Sequence, residues 1–148
     1  AILGGGGWGT ALSIVLDSKG TDIKVWEYDE KQCELVKQTG KNEKFLPGVS
    51  VPPDVVFTSD MSEAVRESEM VVFAVPSHTL RGVARELAGL GLPLPLIVSA
   101  TKGIEDDSLM RMSEVLADEL PARAAGRVRS SWAFWVRFCG ERDWRWVR

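Results

Sequence analysis

The feature that most constrains this chain is its opening, where three apolar residues, Ala1-Ile2-Leu3, break into Gly4-x-Gly6-x-x-Gly9 and then into the helix-forming run Thr10 to Leu16. The order is strand, tight turn, helix. In a βαβ unit the first glycine makes the turn, the second lets a pyrophosphate approach the backbone, and the third lets the helix pack on the strand. Phosphates would then meet free N–H groups at a helix N-terminus, where the helix dipole favours negative charge. Four consecutive glycines also fit a flexible terminal linker, so the rest of the chain has to decide.

Ala11, Leu12, Ile14, Val15 and Leu16 are apolar nearly all round, as in a helix buried between a sheet and its neighbours. Lys19-Gly20 supplies its C-terminal signature. Asp22 to Glu27 reads as a second strand by alternation, with Glu27 at its carboxyl end, 18 residues beyond Gly9. A carboxylate there can accept hydrogen bonds from the ribose hydroxyls of an adenosine and would repel a 2′-phosphate. Its plain alternative is a solvated strand-end acid. With the glycine turn the functional reading is preferred, and with it NAD over NADP.

Asp29 to Thr39 is expected to be a polar helix with Leu35 and Val36 inward, followed by a loop from Lys41 to Pro53 and a short strand from Asp54 to Phe57. Asp60 and Glu63 form a capping pair for the next helix, with Ala64 and Val65 on its buried side. Met70 to Val75 is a continuous apolar run, the pattern of a strand covered on both faces. Ser77 is the expected N-cap of a helix carrying Leu80, Val83, Ala84 and Leu87 at helical spacing. Leu96 to Ala100 is the fifth strand, and the last helix is expected to turn Leu109, Met112, Leu116 and Leu120 inward.

Strand and helix therefore alternate five times, which predicts an α/β fold with a doubly wound parallel sheet of Rossmann-like type. In such sheets ligands bind beyond the carboxyl ends of the strands. Gly4 to Gly9, Glu27, Val75 to Ser77 and Thr101-Lys102 all fall at such ends, which removes the linker reading of the glycines. The chain contains no run of about 18 apolar residues, so no membrane span is expected. It opens without Met, inside a strand already under way, and is expected to be truncated at the front. Cys33 and Cys139 form neither a disulfide framework nor a metal cluster, which fits a cytoplasmic protein with no metal.

Together, Gly4-x-Gly6-x-Trp8-Gly9-Thr10-Ala11-Leu12, Phe45-Leu46-Pro47-Gly48, Val75-Pro76-Ser77-His78 and Ser99-Ala100-Thr101-Lys102-Gly103-Ile104-Glu105 resemble the amino-terminal domain of bacterial-type NAD(P)-dependent glycerol-3-phosphate dehydrogenase. The resemblance runs from Ala1 to about Leu120. It implies interconversion of sn-glycerol 3-phosphate and dihydroxyacetone phosphate, for phospholipid synthesis, with a homodimer compatible with the full-length family. Carried over by position, it implies cofactor contacts at Gly4, Gly6, Gly7, Trp8, Gly9, Glu27, Tyr28, Phe45, Pro76 and Lys102. Lys102 matches a lysine that also touches substrate, and an ammonium there can form charge-assisted bonds to a phosphate or oxygen. Many relatives carry Arg near the position of Tyr28, so its absence again favours NAD.

His78, the single histidine, is read as a polar first-turn residue and not as an acid or base. The resemblance implies that the proton acceptor is a lysine of a second, helical domain, which these 148 residues are not expected to include, so no catalytic residue is assigned and the chain alone is expected to be inactive. Two other readings stay open: a non-catalytic nucleotide-binding remnant, and another two-domain dehydrogenase of hydroxy substrates.

Composition changes abruptly after residue 120. Residues 1–120 hold 11 Lys/Arg against 19 Asp/Glu, whereas residues 121–148 hold seven Arg, no Lys, two acids and four of the six Trp. Val128 to Phe138 has the local propensity for a strand. A basic aromatic tail could stack on nucleic acid, but Arg, Trp and Gly without Lys is what a GC-rich gene yields in a shifted frame. The tail is accordingly read as an aberrant, frame-shifted segment, and nucleic acid is not expected as a partner.

Overall fold

The computed structural model describes residues 1–122 and 128–130. Its strands are β1 (Ile2–Leu3), β2 (Lys24–Trp26), β3 (Val56–Thr58), β4 (Met70–Phe73), β5 (Leu96–Ser99) and β6 (Val128–Ser130). The helices are α1 (Gly7–Asp17), α2 (Glu30–Thr39), α3 (Met61–Val65), α4 (Ser77–Gly89) and α5 (Met112–Glu119). All strands pair in parallel in one sheet, in the order β3-β2-β1-β4-β5-β6. The expected alternation holds, with a sixth strand added: the start of the Val128 to Phe138 segment pairs with β5, Ile97 opposite Val128. The remainder of that segment, and with it most of the Arg/Trp-rich tail, lies outside the described residues.

Side chains alternate across the sheet and divide the core in two. Leu3, Trp26, Val71, Phe73 and Ile97 face α3, α4 and α5, whereas Ile2, Val25, Phe57 and Val72 face the side of Cys33 and Val36 on α2. Strands buried on both faces lose the polar alternation of a surface strand, which is why Met70 to Phe73 was legible as an apolar run. At its entry, however, Met70 is exposed.

Several local expectations are corrected. Helix α1 is not buried all round: Gly9, Thr10 and Ser13 form its buried face and Val15 is exposed. Small residues let this helix lie close to the sheet, while Leu12 and Leu16, partly buried, pack against the core on the α2 side. On α2 the buried residues are Gln32, Cys33 and Val36, and Leu35 points out. Leu109 precedes α5, is exposed, and has a left-handed φ of 57°. Ser77 is the first residue of α4; Pro76 occupies the cap position and no side chain caps the helix. Asp60 caps α3 through the N–H groups of Ser62 and Glu63, but the Glu63 carboxylate accepts from the Thr58 hydroxyl instead of returning to the cap.

The strands end in one layer. Gly4 N–H donates to the Trp26 carbonyl (3.0 Å), Glu27 N–H to Thr58 (2.9 Å), Ala74 N–H to Leu3 (2.8 Å) and Ala100 N–H to Phe73 (2.8 Å). Strand order reverses between β1 and β4, so the loops leaving these two neighbours diverge and open a crevice above their carboxyl ends. No helix among the described residues is long and apolar enough to cross a membrane.

Candidate functional site

The glycine turn sits at that reversal, and its glycines do different jobs. Gly4 has φ +115°, a conformation that favours glycine, and a Cβ there would lie 2.7 Å from the Ala74 carbonyl oxygen at the end of β4. A Cβ on Gly9 would lie 1.8 Å from the Gly4 carbonyl oxygen, so helix and turn touch backbone to backbone. Gly6 is the opposite case: a Cβ there would meet nothing within 4 Å. The first and third glycines are therefore packed, and the second faces open space. Gly6 is also the N-cap of α1, with no side chain capping the helix. The first N–H groups of α1 have no intrahelical partner, which leaves those of Gly7 and Trp8 as donors for an anion. This donor set and the open face of Gly6 fit a dinucleotide pyrophosphate.

Glu27 follows β2 directly and is buried, its carboxylate packed against Gly5, where a Cβ would lie 2.8 Å from Oε2. Its Oε1 accepts from the Asp29 N–H at 3.1 Å. Burial pushes the Glu27 carboxyl above its ordinary range; the N–H groups of Asp29 and Gly5 and the charge of Lys44 act in the opposite sense, while the Asp29 charge adds to the rise. The acid is thus held in place and not freely solvated. Tyr28, beside it, is 79% exposed.

The loop between α2 and β3 closes the near side. The Phe45 carbonyl lies where a Cβ on Gly7 would sit at 2.5 Å, so that glycine admits the loop. The Lys44 ammonium stands 4.8 Å from the Phe45 ring centroid and 3.7 Å from Asp29, tying the loop to the start of α2. The Phe45 ring and Trp8 are both substantially exposed beside the turn.

Across the crevice, Pro76 and Lys102 are exposed at the ends of β4 and β5. The Thr101 hydroxyl donates to the Val75 carbonyl at 2.9 Å, and the Cα of Gly103 (φ +109°) faces the Ser77 side chain. Val75 also contacts the Gly4 position, so the three strand ends adjoin. Glu105 then anchors this turn: Arg81 on α4 donates to both of its oxygens, at 2.7 and 2.9 Å, and to Asp118 and Glu119, the last two residues of α5. Arg81, and after it the exposed Ser108 hydroxyl that donates to Glu105, hold the Glu105 carboxyl down to about 2. His78, on the first turn of α4, is exposed.

The structure thus brings Gly4, Gly6, Gly7, Trp8, Gly9, Glu27, Tyr28, Phe45, Pro76 and Lys102 to one edge of the sheet. The sequence reading passed over Gly5, although the unbroken run of four glycines marked it, and it read Glu105 only as part of a motif. It also passed over Asn42, a loop amide for which no local pattern exists.

A parallel sheet in this order, with a glycine turn at its reversal and an acid after its second strand, defines a Rossmann-type dinucleotide-binding domain. A family model described as NAD-dependent glycerol-3-phosphate dehydrogenase N-terminus matches residues 1–129, and the chain belongs to that family. Glycerol-3-phosphate dehydrogenase [NAD(P)+] of Pelotomaculum thermopropionicum is 40% identical over 119 residues, 80% of this chain and 34% of the relative. The enzyme of the same description from Chlorobium luteolum is 40% identical over 128 residues, 86% of this chain and 38% of the relative. Among solved structures, glycerol-3-phosphate dehydrogenase from Coxiella burnetii superposes with a TM-score of 0.76 at 29% identity, covering 87% of this chain and 38% of that one. The chain therefore spans about a third of the length of the curated relatives it matches.

Proposed function

We propose that the carboxyl edge of the sheet holds NAD, with NADP the weaker ligand, and that the chain is the cofactor-binding part of an enzyme interconverting sn-glycerol 3-phosphate and dihydroxyacetone phosphate. The observation that carries the reading is the division among the glycines: Gly4 and Gly9 are closed by backbone, while Gly6 opens onto the crevice at an uncapped helix N-terminus. Gly6, Gly7, Trp8 and Gly9 would hold the pyrophosphate side, with Glu27 and Tyr28 toward the adenosine ribose and Phe45 and Pro76 bordering the cofactor. The buried Glu27 carboxylate, with Tyr28 where an arginine would assist a 2′-phosphate, supports NAD over NADP.

When bound, the nicotinamide supplies the hydride carrier for alcohol and ketone interconversion. The chain's own part is to bind and orient. Lys102 makes no hydrogen bond or ion pair among the described residues, and it stands at the end of β5 on a turn anchored through Glu105 and Arg81. We assign it to the phosphate or oxygen of the substrate, through charge-assisted hydrogen bonds. No described residue is assigned as the proton acceptor. Cytoplasmic placement and a homodimer of the whole enzyme belong to the same proposal.

Titrating NADH in the presence and absence of dihydroxyacetone phosphate tests the substrate assignment. The substrate is expected to raise NADH affinity in the native chain and to leave it unchanged in Lys102→Met. An equal substrate effect in both proteins contradicts the role of Lys102.

A further inference from the structure

Asn42 lies at the joint between the glycine turn and the loop that carries Phe45. Its side chain is 1% exposed, and both N–H groups and the oxygen of its amide are hydrogen-bonded. Nδ2 donates to the Gly5 carbonyl at 2.8 Å and to the Thr10 hydroxyl at 2.7 Å, while Oδ1 accepts from Gln32 Nε2 at 3.0 Å. The orientation of the amide is fixed chemically, because the Gly5 carbonyl can only accept and so must face the nitrogen. Thr10 Oγ1 donates to the same carbonyl at 3.3 Å. The main-chain carbonyl of Asn42 accepts from the N–H groups of Phe45 (3.2 Å) and Leu46 (2.7 Å), so the same residue sets the turn into the aromatic loop.

These bonds decide which way one peptide faces. The Gly5 carbonyl and the Gly6 N–H belong to a single planar trans peptide and point in opposite directions. Asn42 and Thr10 draw the carbonyl inward, so the Gly6 N–H is turned away from the protein interior, on the residue whose own side faces open space. Glycines on both sides offer little resistance to a flip of this peptide. Its orientation therefore depends on the side-chain bonds that hold the carbonyl.

We propose that Asn42 is a positioning residue for cofactor binding: by holding the Gly5 carbonyl inward it presents the Gly6 N–H to the pyrophosphate and keeps the Phe45 loop against Gly7. The inference rests on the reading of this edge as a dinucleotide site.

The test is calorimetric titration of NAD+ into the full 148-residue chain and its variants. In Asn42→Asp the ionised side chain has no donor for the Gly5 carbonyl and sets a carboxylate oxygen against it. At about pH 8 the affinity is expected to fall roughly tenfold, the scale of a buried carbonyl losing its partner. Protonation returns one O–H donor, so the ratio of native to variant affinity is expected to shrink at least about threefold by about pH 5, on the same scale. Glu27 at the end of β2, Asp29 at the cap of α2, Cys33 of α2 and Lys44 of the loop are present in both proteins; because a charge at position 42 would couple to Glu27, the ratio is also measured with Glu27→Gln in both backgrounds, where the same narrowing is expected. A ratio that stays constant with pH, or no loss at all, overturns the proposal.

If Asn42→Asp does not fold, the Thr10 pair decides. Thr10→Val removes the hydroxyl and is expected to weaken NAD+ binding, while Thr10→Ser keeps it and is expected to stay within about twofold of native; equal affinities for the two overturn the proposal. A native chain that fails to bind NAD+ would sink the dinucleotide reading itself, whereas a native chain that binds, with all variants alike, sinks only the role of Asn42.

Discussion

The Cα of Gly9 rests against the Gly4 carbonyl oxygen so closely that a Cβ would sit 1.8 Å from it, while a Cβ on Gly6, three residues earlier, would touch nothing. The two nearest atoms, the carbonyl oxygen and carbon of Gly4, are backbone and cannot swing aside. Gly9→Ala is expected to destabilise the fold by about 3 kcal/mol or more, at the upper end of overpacking costs. Gly6→Ala is expected to change stability by less than about 1 kcal/mol, as at sites without packing consequences. Urea denaturation of the two variants checks the contrast; similar losses in both would contradict the division of roles.

Glu27 combines burial with a carboxyl raised above its ordinary value of 4.5. For an acid raised in the folded state, the ionised form costs stability above the folded pKa, and the cost disappears below the unfolded one. Glu27→Gln is therefore expected to raise the melting temperature of the unliganded chain at about pH 8, with the advantage shrinking as pH falls toward 4.5. The same variant is expected to narrow the preference for NAD over NADP. Thermal melts across this range, with parallel cofactor titrations, measure both; a variant less stable than native at pH 8 would contradict the desolvation account.

Glu105 carries the opposite sign. Held down to about 2 by Arg81 first and Ser108 second, its carboxylate contributes stability that is present above its unfolded value of 4.5 and is lost as pH falls through the folded one. Glu105→Gln is expected to melt below native at neutral pH, with the two curves converging between about pH 4.5 and 2. A constant gap across that window would mean that the Arg81 pair is not what lowers the acid.

Much of the fold was legible because parallel strands buried on both faces leave continuous apolar runs, as at Met70 to Phe73 and Leu96 to Val98. The glycine turn and Glu27 were legible because their chemistry is local in sequence. What was misread depends on distant partners. Leu35 is as apolar as Val36, yet α2 turns Gln32 inward because that amide has a partner in Asn42, and Leu35 is left outside. Leu109 matched the helical spacing, but the chain reaches α5 only at Met112, after a left-handed residue that no glycine announces. Asn42 joins groups 37 and 32 residues away in sequence, a relationship that no periodicity encodes.

We propose, from composition, that the Arg/Trp-rich tail read from residue 121 follows a shifted reading frame, a shift placed no earlier than residue 129 by the extent of the family match. Sequencing the coding DNA across residues 121–148 is expected to reveal an alternative frame that continues the sequence of the matched relatives; its absence from both other frames would sink that assignment.

The central claim is that the open second glycine receives a dinucleotide. Fluorescence titration of the native chain with NADH, beside Gly6→Val, tests it directly, because the substitution fills the open side of the turn without a clash within the protein at its Cβ. The native chain is expected to bind NADH and the variant to lose at least about tenfold in affinity, the scale of one lost charge-assisted contact. Identical titration curves for the two proteins would contradict the claim.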